Sequence, residues 1–378
     1  MEKINIAVVG LGFGASFAKI YLNHPNVNMT AICDTDHALM KTVAGKLGIE
    51  KTYDSLENIL SDGDIDAVHL VTPIPLHEKQ TLAVLSSGKH CACTVPMATS
   101  LEGIQKITDA ARSSGKNYMM METALYTYQF FYVRNFLESG GLGRIQFMRG
   151  SHYQDMRNWP DYWMGLPPMW YATHAVGPMV VLSGSRIARV HCFGSGEMEP
   201  WLRRQYDNPY PVESAIFAFE NGLKAEATRS LFEMAREYQE GLFVYGSKAS
   251  FEWGLRDSDA PFVTRFADNT DSGERGGKTV TRVIELPNYA DLLPEEIRKF
   301  TVSEEDFDPQ NPQLSLEKGR GGGHHGSHPH LVNEFVMSIV QGHKPWIDEI
   351  LGGNITAAGI CAHASAMRDG AAVTVPVF

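Results

Sequence analysis

The glycine-rich turn near the start of the chain is the feature that most restricts its fold. Residues 10–15 read Gly-Leu-Gly-Phe-Gly-Ala, after the apolar run 4–9 and before a helical pattern at 16–23. A strand, a glycine turn and a helix in this order are typical of the first βα unit of a doubly wound sheet. The first glycine permits the tight turn, the second lets a diphosphate approach the backbone, and Ala15 permits close helix packing. Taken alone, the motif also fits an ordinary glycine-rich turn.

An acidic residue after the second predicted strand narrows the ligand. Asp34 follows the strand-like run 27–33, 24 positions after Gly10. A carboxylate there accepts hydrogen bonds from an adenosine ribose and repels a 2′-phosphate, and Thr35 rather than an arginine comes next. The sequence therefore predicts NAD rather than NADP.

The periodicity divides the chain into two domains. Up to residue 123, strand-like runs alternate with amphipathic helical patterns, which predicts an α/β Rossmann domain, a doubly wound parallel sheet at 1–123. Strand-like segments dominate afterwards, so we expect an α+β substrate and oligomerisation domain at 124–378, built on a mostly antiparallel sheet. Segment 257–326 is rich in charge, proline and glycine and is interpreted as an insertion or a lid.

Composition excludes several classes of protein. With 43% apolar residues the chain can bury a large core, and a net charge of −11 disfavours a nucleic-acid partner. The sequence shows no apolar run near the roughly 20 residues that cross a bilayer. Five cysteines without a Cys-x-x-Cys pair read as buried free thiols. We expect a cytoplasmic protein without nucleic-acid or membrane partners.

Short motifs beyond the turn resemble the Gfo/Idh/MocA group of NAD(P)-dependent sugar and polyol oxidoreductases. They are Val71-Thr72-Pro73, His77, Gly88-Lys89-His90 and Pro96. That group usually delivers a Glu-Lys-Pro segment after the fifth strand, with the lysine on the reacting hydroxyl, and here Thr94-Val95-Pro96 takes its place. Because Val95 can neither give nor take a proton, a plain alcohol dehydrogenase is disfavoured.

The NAD-dependent glycosidases of glycoside hydrolase family 109 resemble the sequence more closely, because they carry Val-Pro at this place. Residues 121–126, Met-Glu-Thr-Ala-Leu-Tyr, resemble the branch's segment after the sixth strand, with Thr123 in place of asparagine. Tyr153 stands where the branch has an active-site tyrosine, and residues 170–178 resemble its Tyr-Pro-Thr-His motif, which aligns His174.

The resemblance implies catalysis by a tightly bound NAD that is not consumed. The sugar is oxidised at C3, its C2 proton becomes acidic, the aglycone is eliminated, water adds and the hydride returns. His174 is assigned to the C3 hydroxyl proton, Tyr153 to the C2 proton and Glu122 to orienting a hydroxyl, and Tyr171 completes the catalytic set. The alternatives are a buried histidine at a helix start for His174 and a surface carboxylate at the domain junction for Glu122.

The remaining candidates are ligand contacts. The predicted cofactor contacts are Gly10, Gly12, Phe13, Gly14, Asp34, Thr72, Pro73, His77, Thr94, Val95 and Thr123. Trp163 and Trp170 are candidates for stacking on a sugar, although core or subunit packing explains them equally well. His324 and His325 belong to a glycine- and histidine-rich run interpreted as a substrate-side loop; we expect no metal there, because the spacing lacks a tetrahedral ligand set.

Two other functions stay open at this point. One is an NAD-dependent sugar or polyol dehydrogenase that releases oxidised sugar, and the other is a non-enzymatic regulator that binds NAD or sugar. In each case the small-molecule partner is a carbohydrate or glycoside, and we expect a homo-oligomer.

Overall fold

The chain forms two compact units, each made of separate stretches of sequence. The computed structural model describes residues 2–203, 205–256, 259–267, 275–302 and 324–378. The first unit contains residues 1–127, 288–353 and 378, and the second contains 128–287 and 354–377. The chain therefore returns to its first unit after crossing most of the second. The sequence analysis placed a single domain boundary after residue 123, and that boundary stays a prediction.

The first unit is built on a six-stranded parallel sheet. Its strands are β1 Ile4–Val9, β2 Val27–Cys33, β3 Thr52–Tyr53, β4 Ala67–Leu70, β5 His90–Thr94 and β6 Tyr118–Met121. Their spatial order is β3-β2-β1-β4-β5-β6, and every neighbouring pair is parallel. This order confirms the predicted Rossmann fold, whose ligand crevice lies where the order reverses, between β1 and β4.

Helices connect these strands, and two more helices of the first unit come from residues 288–353. They are α1 Leu11–Asn23, α2 His37–Leu47, α3 Leu56–Ser61, α4 His77–Ser86, α5 Leu101–Ser114, α8 Glu295–Arg298 and α9 Gly326–Gln341. Local sequence sets their ends: Asp36 caps α2 by accepting hydrogen bonds from the N–H groups of Ala38 and Leu39, and Gly48 ends α2 in the left-handed conformation.

The second unit is built on a nine-stranded sheet, which confirms the predicted α+β class. Its strands are β7 Ile145–Tyr153, β8 Ile187–Ser195, β9 Val212–Phe219, β10 Lys224–Ser230, β11 Gln239–Gly246, β12 Ala249–Glu252, β13 Phe262–Phe266, β14 Thr279–Val283 and β15 Val373–Thr374. The order is β14-β13-β12-β11-β7-β10-β9-β8-β15, and only the pair β7–β10 is parallel among the pairs described.

Three more helices follow, of which α7 packs closely on this second sheet. α6 is Tyr128–Glu138, α7 is Thr173–Ser183 and α10 is Glu349–Ala366. A Cβ on Gly150 of β7 would lie 2.6 Å from the carbonyl oxygen of Ala175 and 2.4 Å from Cε of Met179, so glycine is what lets α7 approach the sheet. This contact brings the start of α7 close to the end of β7.

The described part of segment 257–326 is ordered structure. β13 pairs with β12, and β14 pairs with β13, so the segment extends the second sheet. Residues 288–302, with α8, belong to the first unit. The remaining residues of the segment, up to 323, lie outside the described residues, and a lid role stays a prediction.

All five cysteines are free and buried, as the sequence predicted. Burial raises the pKa of every one of these thiols, to about 11 for Cys361 and about 12 for Cys93. Within the described residues, no helix combines the length and the apolar character needed to cross a membrane.

Candidate functional site

The glycine turn of the first unit is shaped by contacts that only glycine tolerates. Gly10 has φ of +91°, and a Cβ there would lie 2.4 Å from the carbonyl oxygen of Val71. A Cβ on Gly14 would come within 3.1 Å of Cγ1 of Val8, so α1 lies directly on β1. At Gly12 no atom of the described residues lies within 4 Å of a Cβ position, which leaves that backbone open to a ligand.

The start of α1 offers amides to an anion. The helix has no side-chain cap and no acidic residue in its first turn. The N–H of Leu11 donates to Oδ2 of Asp34 over 2.6 Å, and the following first-turn amides have no acceptor within their own helix. Because the positive end of the helix dipole also lies here, the turn suits a diphosphate.

Asp34 stands in an acidic environment at the end of β2. Its Oδ1 accepts a hydrogen bond from the N–H of Asp36 over 2.8 Å, and each carboxylate oxygen keeps further acceptor capacity for a ribose hydroxyl. Burial first, and then the charges of Asp34, Asp54 and Glu57, raise the pKa of the Cys33 thiol to about 11. Negative charge at this edge disfavours the additional phosphate of NADP.

His77 fixes the loops that follow β4 and β5. It is fully buried, its Nδ1 lies 2.8 Å from the carbonyl oxygen of Pro96, and its Nε2 lies 2.8 Å from the carbonyl oxygen of Thr72. Burial lowers the pKa of His77, and the two backbone bonds oppose that shift. The Thr72 hydroxyl donates to Oε1 of Gln80 over 2.5 Å, beside Pro73. Both ring nitrogens of His77 thus face backbone carbonyl oxygens. The predicted contacts of Thr72, Pro73 and His77 with NAD stay predictions.

The residue after β5 offers only an aliphatic surface. Val95 is 6% exposed and precedes a cis peptide bond to Pro96. The Thr94 hydroxyl lies 3.4 Å from the carbonyl oxygen of Leu70. A lysine-type proton donor is therefore absent at this place.

Glu122 follows β6 and is fully buried. Its Oε1 accepts a hydrogen bond from the N–H of Ala124 over 2.9 Å and caps the short 3-10 helix that starts at Thr123, itself buried. The alternative of a surface carboxylate is wrong, because no part of the side chain is exposed. Its predicted role with a sugar hydroxyl remains untested.

The structure places His324, which precedes His325 just before α9, beside Phe13 of the glycine turn. Phe13, which is 45% exposed, meets the ring of His324 edge-on at 6.0 Å and that of His328 at 5.3 Å between centroids. His324 and His325 have φ of +41° and +54°. Their predicted contact with a sugar stays a prediction, and their position in the first unit is that of neighbours of the phosphate-binding turn.

A cluster of rings in the second unit joins the end of β7 to the start of α7. The ring centroids of His152 and His174 are 5.0 Å apart, and those of Tyr171 and His174 are 5.7 Å apart. His152 and His174 are 1% and 6% exposed, whereas Tyr171 is half-buried. The structure therefore brings two of the predicted catalytic residues, Tyr171 and His174, into one cluster.

A buried arginine holds this cluster together. Arg229 of β10 is fully buried and donates to the carbonyl oxygens of Tyr171 (2.9 Å) and His152 (3.0 Å) and to Oε1 of Gln154 (3.0 Å). Its guanidinium carbon lies 5.4 Å from the centroid of the Tyr171 ring. Burial lowers the pKa of Arg229 to about 10, so the side chain stays cationic near neutral pH.

A carboxylate and a further phenol complete the polar set around His152. The Tyr238 hydroxyl donates to the carboxylate of Glu240, and the Tyr238 ring meets the His152 ring edge-on at 5.3 Å. Sequence analysis missed His152, Arg229, Tyr238 and Glu240. One signal in the sequence could have found them: each lies near the end of a predicted strand, where a polar residue interrupts the alternation of apolar and polar side chains.

Tyr153 lies at the end of β7 and is half-buried. Full burial in the core would exclude a role in proton transfer, and Tyr153 is not fully buried. The guanidinium carbon of Arg236 lies 5.4 Å from the centroid of its ring, which gives this phenol a cationic neighbour.

Trp163 and Trp170 pack against different partners in the second unit. Trp163 is 6% exposed and meets the Tyr171 ring edge-on at 4.8 Å, while half-buried Trp170 meets the ring of His363 at 5.8 Å. The fully buried carboxylate of Glu213 accepts hydrogen bonds from the turn's backbone, over 2.8 Å, and from Nδ1 of His363, over 2.6 Å. Both tryptophans thus pack within the unit, and sugar stacking by either stays a prediction.

Within the described residues, histidine, cysteine, aspartate and glutamate side chains form no cluster of three that could hold a metal ion.

A family model matches the part of the chain that carries the glycine turn. Residues 4–122 match the Gfo/Idh/MocA model, described as "Oxidoreductase family, NAD-binding Rossmann fold". These residues thus match the NAD-binding domain of that family. The predicted resemblance and the predicted NAD cofactor are both confirmed.

Two curated relatives carry the name that the glycosidase resemblance suggested. The "Glycosyl hydrolase family 109 protein" of Saccharopolyspora erythraea is 26% identical over 215 residues, which are 50% of this chain and 47% of that protein. The protein of the same name from Streptomyces filamentosus is 28% identical over 220 residues, 51% of this chain and 44% of that protein. The chain thus aligns with less than half the length of each of these relatives.

Solved structures share the fold over the whole length. A levoglucosan dehydrogenase in complex with NADH superposes with a TM-score of 0.79 at 20% identity and covers 100% of both chains. A myo-inositol 2-dehydrogenase from Lactobacillus plantarum gives a TM-score of 0.74 at 18% identity, with 99% of this chain and 100% of that chain covered. At these identities the similarity shows the fold alone.

Proposed function

We propose that the protein is an NAD-dependent glycoside hydrolase that cleaves a small glycoside by transient oxidation at C3. The observation that carries the proposal is the cluster of His174, His152 and Tyr171, which gathers proton-transfer groups in a protein that has Val95 instead of a lysine after its fifth strand. The names of the family 109 relatives support the same reading.

The chemistry divides between cofactor and protein. Bound NAD supplies a hydride acceptor for C3 that is restored in the same turnover, so the cofactor is retained and not consumed. His174 takes the proton of the C3 hydroxyl as the ketone forms and returns it at the end. Tyr153 removes the acidified C2 proton, the C1–O bond breaks, and the aglycone leaves with that electron pair and takes up a proton. Water then adds at C1, and Tyr153 returns a proton to C2.

Other residues orient the sugar in this proposal. Tyr171, held through its backbone by the buried Arg229, has its ring 5.7 Å from that of His174 and donates a hydrogen bond to the sugar. Glu122 accepts a hydrogen bond from a sugar hydroxyl, and the half-buried Trp170 offers an aromatic face to the ring. Rates of cleavage across a panel of aryl α- and β-glycosides would identify the preferred sugar, anomer and aglycone.

The test uses aryl α- and β-glycosides in heavy water, with aglycone release and deuterium at C2 followed together. We expect cleavage with deuterium at C2, a requirement for NAD in catalytic amount, and a loss of kcat of about 100-fold or more in His174→Ala. His191→Ala is the matched control, because His191 lies exposed on β8 of the same unit. Cleavage without exchange at C2 would contradict the elimination step.

One alternative has a specific observation in its favour. The solved structures with the same fold include two sugar or polyol dehydrogenases, so a dehydrogenase that releases oxidised sugar is the second candidate. Net NADH formation equal to the sugar consumed would establish it. Binding of NAD and sugar with no turnover of either would instead indicate a regulator.

The setting of the enzyme is part of the proposal. Five buried free thiols fit a reducing compartment, so we propose a cytoplasmic location. We also propose a homo-oligomer, to be checked by light scattering. The expected partner is a small carbohydrate or glycoside, and neither nucleic acid nor membrane enters the mechanism.

A further inference from the structure

Helices α1 and α9 run side by side in the same direction within the first unit. Near their starts, Phe13 of α1 contacts the ring of His328, at 5.3 Å between centroids. At the end of α1, Nε2 of His24 lies 3.2 Å from Oδ1 of Asn333, further along α9. Because residue numbers rise together along both helices, their N-terminal ends lie at the same edge, which is the edge that carries the glycine turn.

A stack of rings anchors the start of α9 on α1. The ring of Phe17 lies 4.7 Å from the ring of His69 and 4.4 Å from the ring of His328. The Tyr21 hydroxyl lies 3.2 Å from Nδ1 of His69. Burial lowers the pKa of His69 to about 3, so this part of the stack is neutral near pH 7. The start of α9 is therefore held in place by packing that is independent of any ligand.

The backbone just before α9 adopts a costly conformation. His324, His325 and Gly326 have φ of +41°, +54° and +79° in succession. Residues other than glycine rarely adopt the left-handed region, and residues held in it cluster at ligand clamps. The run turns the half-buried His324 towards Phe13, the side chain that projects from the glycine turn itself.

The helix starts at this edge offer backbone amides to an anion, in addition to the Leu11 N–H that already donates to Asp34. Neither α1 nor α9 has an acidic residue in its first turn, and neither begins with a side-chain cap. Imidazole is a hydrogen-bond donor of the kind that phosphate oxygens accept. The anion that the matched family brings to this turn is the diphosphate of NAD.

We propose that His324 binds the diphosphate of NAD from the α9 side, opposite the amides of the glycine turn, and thereby slows release of the cofactor. The inference rests on the proposed function in one respect, since a cofactor that is restored in every turnover has to be retained. It makes His324 a cofactor contact instead of the sugar contact that the sequence predicted.

The experiment measures NAD binding without any sugar. Affinity is measured by titration calorimetry, and release by the loss of NADH fluorescence after a chase with excess NAD. His324→Gly removes the side chain while relieving the left-handed backbone, and His324→Asn keeps a donor on a residue that tolerates this conformation. The control is His343→Ala, an exposed histidine beyond the far end of α9.

We expect the dissociation constant and the release rate to rise about tenfold in His324→Gly, to recover most of the way in His324→Asn, and to stay at the wild-type values in His343→Ala. Melting temperatures check that each variant is folded. Wild-type release from a folded His324→Gly, with a raised KM for the glycoside, would overturn the inference and place His324 at the sugar. Equal values for His324→Gly and His324→Asn would overturn it too. If no glycoside is cleaved while release still depends on His324, the proposed function fails and this inference stands.

Discussion

Gly150 controls how closely α7 approaches the second sheet, and adding one methyl group there should move His174. In Gly150→Ala the new Cβ would lie 2.6 Å from the carbonyl oxygen of Ala175 and 2.4 Å from Cε of Met179. The methionine end can rotate away, but the carbonyl belongs to the backbone of α7. A carbon–oxygen contact needs about 3.3 Å, so the first turn of α7 has to shift by roughly 0.7 Å.

The shift has two measurable consequences. Overpacking of this kind costs about 1–3 kcal/mol, and for a unit of this size each kcal/mol lowers Tm by about 2–4 °C. Because His174 is the second residue of α7, a displacement approaching 1 Å should lower kcat by about 10- to 100-fold. NAD affinity should be unchanged, since the glycine turn belongs to the first unit.

Thermal unfolding, glycoside kinetics and NAD titration are the assays. Gly45→Ala is the matched control, because Gly45 lies within α2, its Cβ position meets no described atom within 4 Å, and alanine there should stabilise the helix by about 0.5–1 kcal/mol. A Gly150→Ala protein with the wild-type Tm and kcat would refute the reasoning that glycine is needed for this close packing.

Three further predictions follow from single contacts. Asp34→Ala should weaken NAD binding about tenfold and should also cost about 1 kcal/mol, because the N–H groups of Leu11 and Asp36 lose their acceptor. Asp36→Ala should cost about 1 kcal/mol through the lost cap of α2 and leave the affinity unchanged; calorimetry measures the affinities, and urea unfolding measures the stabilities. The pKa of His69 is about 3 in the folded protein and about 6.5 in the unfolded chain. Its contribution to stability is therefore complete above pH 6.5 and is lost as the pH falls towards 3. Between pH 6 and 4, His69→Asn should reduce the slope of the unfolding free energy against pH by about 1 kcal/mol per pH unit. Glu213→Leu should lower the free energy of unfolding by about 3 kcal/mol or more, because it leaves His363 and a buried N–H without their acceptor. Glu213→Gln should cost less than half of that. Equal urea midpoints for the leucine variant and the wild type would count against the role of this carboxylate.

The parallel sheet was predictable because local patterns specify it. The runs 4–9 and 27–33 are mostly apolar, as buried parallel strands are, and the structure gives both strands these bounds. β3 has two residues and β14 has five exposed ones, so neither shows alternation or an apolar run. Such strands exist because a neighbouring strand pairs with them, and that information is not local.

The clusters of the second unit were only partly predictable for the same reason. His174 and Tyr171 lie close in sequence, so a motif contains both. His152 and Arg229 meet because β7 and β10 pair in parallel, with these two residues in register. That pairing depends on the order of nine strands, which periodicity alone does not encode. Burial of Glu122 depends likewise on what covers the end of β6.

The buried cysteines have a practical consequence for every experiment above. Their raised pKa values leave almost no thiolate at pH 7–8, the form that maleimides and iodoacetamides attack. A single cysteine introduced on the surface, for example Ser113→Cys near the end of α5, would therefore be the one site that takes up a fluorophore or spin label. The native chain is in this sense a ready background for spectroscopic probes, with no thiol to remove first.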